Sequence, residues 1–360
     1  MSSINHEFRP INVRSASEHE YQCAAEFKNL LNQEYYPDDP PTPLEEQIQG
    51  WKNIPAFVEL EAHAAWDPSG TKILAFCEVD VENTDDNEHL AFFRIEVLPE
   101  YRCRGLGRHM LKMLLPFAKV RNRRLLMVWA SGQIPAAGIF LERIGARKGQ
   151  ESHINQLSVS EFDRDLMNRW LEKSQDLDRE FEIGLWDGPV PEKHLIEMVD
   201  LMQALANDQP RDNLEMEDMK FTPQILQEVE NYFFAKGDKR WILYSVDRAK
   251  GNFVGLTEVR WSPNRPEILE QGFTAVYPAY RNKGLGRWLK AGMMKKIIEE
   301  RPEVRVIRTR NANSNAPMLK INQEMGFKPY IASALWQVEI SQVEKYLQKH
   351  GSTENNIDKN

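Results

Sequence analysis

The chain has 360 residues, 41% of them hydrophobic and 28% charged, and carries a net charge of −8. That length suits two domains, each large enough for its own core, in a protein of ordinary soluble composition. The acidic balance speaks against a nucleic-acid partner, and no run approaches the about 18 apolar residues of a membrane span.

In chain order, a strand is predicted over Phe8–Val13 and a helix over Glu18–Gln33. Past the acidic, proline-rich Glu34–Pro41, a second helix follows Thr42. Strand-like runs come next at Ala56–Trp66, Lys72–Val81 and His89–Val97, with Asp67–Gly70 and Glu82–Asn87 as turns. Gly105 opens a helix whose Met110, Leu111, Leu114, Leu115 and Ala118 are apolar at helical spacing. A buried strand at Arg124–Trp129, a helix at Ala136–Ile144 stopped by Gly145, and a last strand to Val159 complete this set.

The charge-rich stretch that follows reads as a linker helix, and the order then repeats. A strand from Phe181, a helix at Glu192–Ala206 and a loop at Asn207–Lys220 lead to a helix with Thr222 as cap and Pro223 as first residue. Strands are predicted at Trp241–Asp247, Phe253–Trp261 and Ile268–Val276, then a helix through Leu285, Leu289, Met293 and Ile297. A strand at Val304–Arg308, a helix at Asn315–Met325 and a closing strand at Phe327–Ile340 finish it. The expected domains are 1–160 and 181–345, with a linker helix at 161–180 and a polar tail at 346–360, disordered over Ser352–Asn360.

The two sets share one string. Arg102-Cys103-Arg104-Gly105-Leu106-Gly107-Arg108 returns as Arg281-Asn282-Lys283-Gly284-Leu285-Gly286-Arg287, each preceded by Val-x-Pro and Tyr. A glycine-rich turn after a strand and before a helix builds an anion site from backbone amides, so a phosphate-bearing ligand is expected. Cys23, Cys77 and Cys103 fit neither a disulfide framework nor a metal site, and the scattered histidines lack ligand spacing, so no metal is expected. With no apolar core for a signal peptide in Met1–Val13, a reducing, cytoplasmic setting is expected.

Each half reads β-α-α-β-β-β-α-β-α-β with the glycine turn after its fourth strand. This order resembles the GNAT acetyltransferase superfamily, whose motif Arg/Gln-x-x-Gly-x-Gly/Ala lies between strand four and helix three. Two copies in matching context make a specific signal, and the resemblance covers nearly the whole chain. It implies an α/β (mixed-sheet) fold class: two tandem GNAT domains, each a mixed, centrally splayed sheet flanked by helices. The tandem arrangement is similar to that of the mycothiol synthases, which acetylate the amine of a cysteinyl pseudodisaccharide.

The resemblance implies acetyl-CoA as co-substrate, held by Arg281, Asn282, Lys283, Gly284, Leu285, Gly286 and Arg287, with pantetheine along Thr274 to Val276 and against Asn315. In the first half Val97, Arg102, Arg104, Gly105, Leu106, Gly107 and Arg108 take the same places. An acceptor amine, with a pKa near ~10, must be neutral to attack. Glu270, and in competition Glu258, are the candidate bases. Either is alternatively an outward-facing polar residue of its strand. The family's tyrosine, which supplies the acid, is replaced by Asn322 in the second half and Leu141 in the first. Tyr330 is the substitute considered, or exchange with solvent. Asn315 is equally a helix cap.

The first half has no asparagine in register with Asn315 and keeps only Glu96 as a possible base, so the second half is expected to be catalytic and the first degenerate. No nucleophile is needed, and direct attack by a small-molecule amine in a ternary complex is expected, from a monomer or homodimer. A non-catalytic coenzyme A-binding protein and a protein-lysine or peptide acetyltransferase stay open as alternatives. The acidic Asp208–Asp218 segment is either solvated or, facing the cleft, attracts a cationic amine through Glu215, Glu217 and Asp218.

Overall fold

Alternating apolar side chains become strands where the sequence places them, and side-chain caps mark the start of some of the helices. The structure, a computed structural model, describes residues 6–351. The first half runs β1 (Glu7–Pro10), α1 (Glu18–Tyr35), α2 (Leu44–Lys52), β2 (Val58–Trp66), β3 (Ile73–Glu82), β4 (Leu90–Val97), α3 (Leu106–Val120), β5 (Leu125–Ser131), α4 (Pro135–Arg143) and β6 (Arg147–Ser158). After α5 (Arg164–Lys173) come β7 (Phe181–Asp187), α6 (Leu195–Asn207), α7 (Pro223–Ala235), β8 (Lys239–Asp247), β9 (Phe253–Trp261) and β10 (Ile268–Val276). The chain ends in α8 (Leu285–Glu300), β11 (Val306–Ala312), α9 (Ala316–Glu324), β12 (Lys328–Glu339) and α10 (Ile340–Gly351). Ser17 and Glu20 form a capping box on α1, and Thr222 caps α7 at the amide of Ile225, 3.1 Å away.

The chain divides into two compact units that do not coincide with its halves. Of the described residues, the first comprises those up to Glu151, the loop Arg211–Glu217 and those from Ser333; the second comprises Ser152–Pro210 and Asp218–Ala332. In the first unit the strand order is β1-β2-β3-β4-β5, closed by the Ser333–Glu339 part of β12 lying antiparallel to β5. In the second the order is β7-β8-β9-β10-β11, closed by the Ser152–Ser158 part of β6 antiparallel to β11. Each sheet is thus completed by the closing strand of the other half. The boundary expected at 160 misses this exchange, because alternation tells which face of a strand is apolar and not which neighbour it pairs with.

Two further segments differ from expectation. The linker helix is α5, whose Met167 and Trp170 enter the core of the second unit with Leu289 and Phe327. The expected tail begins inside α10, which seats Ile340 and the fully buried Val343 in the core of the first unit. The disorder expected from Ser352 lies outside the described residues. Among the described residues no helix is long and apolar enough to cross a membrane, and no group of three or more His, Cys, Asp or Glu could hold a metal ion.

Candidate active site

In the second unit β10 runs parallel to β11 for three residue pairs, Ile268–Val306, Leu269–Ile307 and Glu270–Arg308, and there the ladder stops. From Gln271 onward the strands part, leaving backbone donors and acceptors along an open edge. The first unit splays in the same way: β4 and β5 pair from Leu90–Leu125 to Phe92–Met127 and no further.

Opposite the splay, the β9–β10 register shifts between Gln271 and Thr274, so Gly272 and Phe273 form a bulge facing Glu258. A Cβ on Gly272 would stand 2.3 Å from Glu258 Oε1, so only glycine lets that side chain lie across the strand. The Phe273 N–H donates to Glu258 Oε1 at 3.3 Å, and Arg240 Nη1 lies 4.0 Å from the other oxygen. Arg240 is itself buried, paired with Glu230 and donating to the Gly188 carbonyl at 3.1 Å. The result is a carboxylate, Glu258, held inside the fold at a strand irregularity.

Beyond β10 the chain makes the glycine turn. Asn282 (φ 64°) and Gly284 (φ 99°) are both left-handed, and α8 starts at Leu285 with no side chain capping it. Cys103 (φ 59°) and Gly105 (φ 88°) repeat the conformation before α3, again uncapped. Uncapped first-turn amides on helices of this length form an anion seat.

The basic side chains of the turns are largely engaged within their own units. Arg281 donates through Nε to the Val276 carbonyl at 3.0 Å and pairs with Asp208, which braces the turn against its strand. Arg102 does the same with the Val97 carbonyl at 3.0 Å and both oxygens of Glu34. Lys283 pairs with Glu180 at 3.1 Å, and Arg287 makes two 2.9 Å bonds to Glu324. Arg104 lies 5.8 Å over the Tyr101 ring. Leu106 and Leu285 are buried first-turn residues of their helices, and Gly107 and Gly286 pack near Phe140 and Ile321.

Of the residues named for chemistry, Glu270 is exposed and stands 3.7 Å from Arg260, whereas Glu258 is 8% exposed. Tyr330 is half-buried with the Arg308 guanidinium 5.0 Å over its ring. Asn315 caps α9 through Oδ1 to the Met318 amide and donates through Nδ2 to Gln209 at 2.9 Å. Thr274 and Val276 lie buried on the open stretch of β10, and the Thr274 hydroxyl is 2.6 Å from that of Thr257. Glu96 sits on β4 opposite Phe76.

The acidic segment is divided: Asp208 pairs with Arg281 at the turn of the second unit, whereas Arg211–Glu217 belongs to the first. Glu215 pairs with Arg124 and Arg147, its amide donates to Gln337, and Leu214 and Met216 pack on Leu90, Leu125, Met127 and Leu335, all in the first unit. Arg124 and Arg147 hold the Glu215 carboxyl below its usual range. The expectation of a field-focusing loop fails for Glu215, because the partners that neutralise it are far away in sequence.

Sequence reading passed over one buried polar cluster. Lys290 of α8, 2% exposed, donates to Gln271 Oε1 and Asn322 Oδ1, both at 2.9 Å. Gln271 donates onward to the hydroxyls of Thr257 and Thr274, and Asn322 to Asn311 at 2.8 Å. Asn322 also lines a cavity of about 200 Å³ with His153, Asn155, Asn313 and Phe327. The available signal was a lysine adjoining the apolar stripe of α8.

Residues 24–146 match the model of the Acetyltransferase (GNAT) family. Among solved structures, the tandem GNAT protein from the clavulanic acid biosynthesis pathway is 19% identical with a TM-score of 0.74, over 93% of this chain and 99% of its own. A GCN5-related N-acetyltransferase from Sphaerobacter thermophilus is 15% identical with a TM-score of 0.63, over 92% of this chain and 96% of its own. No curated protein matches the chain.

Proposed function

Since the chain carries a GNAT-family domain in its first half and has the tandem GNAT fold throughout, we propose that it is an acetyl-CoA-dependent N-acetyltransferase for the primary amine of a small molecule, with the chemistry in the second unit. The observation that carries this is the bulge at Gly272-Phe273, which brings Glu258 to the strand that also opens at the splay. The residues present fit a phosphate-bearing thioester. The uncapped start of α8 suits the pyrophosphate, and the open edge of β10 from Gln271 to Val276 suits an extended amide-bearing arm. Acetyl-CoA supplies an activated acyl group; everything else is done by the chain.

Glu258 is the base that takes the proton of the acceptor ammonium, leaving a neutral amine to attack. Its burial and the Phe273 N–H fix the carboxylate, whereas Glu270 stands in solvent beside Arg260. The first unit, with turn and splay but a regular β4, binds coenzyme A without transferring the acyl group.

Thiol release on mixing the protein with acetyl-CoA and a panel of small amines tests this. Turnover is expected with a small amine and is expected to fall about 100-fold in Glu258→Gln. Release only with lysine peptides would replace the acceptor class. Coenzyme A binding with no turnover on any amine would leave a binding protein.

A further inference from the structure

Three positions that build the core of the first unit are polar in the second. Gln271 stands where β4 has Phe93, each paired with a valine of the adjoining strand, Val259 or Val79. Counted from the turn glycines Gly284 and Gly105, Lys290 takes the place of Leu111. Counted back from Gly326 and Gly145, Asn322 takes that of Leu141. Phe93, Leu111 and Leu141 share one apolar cluster, so this fold closes well without the polar trio.

A buried ammonium is costly unless paired, yet Lys290 meets two neutral carbonyl oxygens and no carboxylate. The charged groups on the elements packed around it are engaged elsewhere: Glu258 with Arg240, Glu270 with Arg260, Asp247 with Tyr280, Glu324 with Arg287, Arg308 with Gln156, and Asp163 with Arg169. Burial alone acts on the amine and lowers its pKa to about 7. Two of its three N–H groups donate to these oxygens, and Nζ lies 5.7 Å over the Phe327 ring. The cluster stands at the root of the splay, since Gln271 is the first residue of β10 past its last pair with β11, and Asn322 opens onto the cavity.

Resting on the preceding reading, we infer that Lys290 is the general acid of the second unit, protonating the sulfur that leaves the acyl group. As the C–N bond forms and the C–S bond breaks, an N–H bond of Lys290 gives its proton to the sulfur. Glu258, having passed the first proton of the acceptor ammonium to solvent, takes the second proton that the nitrogen sheds as the amide forms, and the neutral lysine is recharged from solvent. The transfer runs downhill, because a free thiol has a pKa of about 8.5, above that of this lysine.

The test labels lysine Cε with ¹³C and follows Lys290 by NMR in the wild-type protein, with Lys290→Met for assignment. Should that variant not fold, Gln271→Phe, Lys290→Leu and Asn322→Leu together rebuild the apolar packing of the first unit. The Lys290 signal is expected to titrate near pH 7 and to move on adding coenzyme A but not desulfo-coenzyme A, which lacks the sulfur. In parallel, kcat of the wild type is expected to fall as pH rises through about 7, and Lys290→Met to lose about 100-fold and that fall with it. A signal that responds alike to both ligands, or a variant with the wild-type pH profile, overturns the inference and leaves the acetyltransferase reading intact. Failure of the wild type to bind coenzyme A sinks both.

Discussion

The two units begin from the same turn and diverge one strand away. Opposite Glu258 the second unit sets two residues, Gly272 and Phe273, and the carboxylate lies across Gly272. At the matching place in the first unit the register runs on unbroken from Ala75–Val97 to Asp80–Phe92, and Glu78 faces Arg94 at 3.4 Å. Burial acts against the Glu78 charge, but Arg94 and Lys28 outweigh it and hold the carboxyl below its usual range. One extra residue in a strand thus separates a buried carboxylate at a bulge, the proposed base, from one that faces an arginine across a regular ladder.

The largest effect expected from this contrast comes from valine at the turn glycines, a β-branched residue at positive φ. Gly284→Val is expected to lower turnover about 1000-fold, while Gly105→Val stays within about threefold, each losing one coenzyme A site by calorimetry. Equal losses would make the units equivalent. Next, Glu78→Gln and Glu270→Gln are expected to keep kcat within about twofold, against the loss in Glu258→Gln. A large loss in Glu270→Gln would move the base to the exposed carboxylate.

Stability carries the next difference. Lys290 has a lowered pKa in the fold, so between about pH 7 and its unfolded value the unfolded chain binds more protons and stability rises with pH. The penalty of burying the charge is complete below pH 7 and fades above it. Urea unfolding at pH 7 and pH 9 is expected to show a gain of about 2 kcal/mol in the wild type beyond that in Lys290→Met. The smallest expected effect is that of Lys283→Ala, whose exposed pair with Glu180 contributes at most about 1 kcal/mol by thermal unfolding.

Much of this was legible in the chain. The repeated turn, the order of strands and helices, and the Thr222 cap all follow from local spacing. The bulge was not legible, because it depends on what faces Gly272 from the next strand. The partners of Glu215 lie far off in sequence, so a docked loop reads as an acidic, solvated one. Lys290 was visible only by laying α8 against α3, where it replaces a leucine. Helix α10 escaped notice because its apolar face is narrow and polar residues surround it.

The exchange of closing strands bears on how the chain comes off the ribosome. Strand β5 is complete by Ser131, yet its neighbour, Ser333–Glu339, is made only after the whole second unit. While the second unit is being made, the first therefore carries an open sheet edge, a surface prone to pairing with other chains. The second unit acquires its closing strand early and can finish first. The half of the protein that is translated first is the half that matures last, and a chain stopped before Ser333 would release it with that edge uncovered.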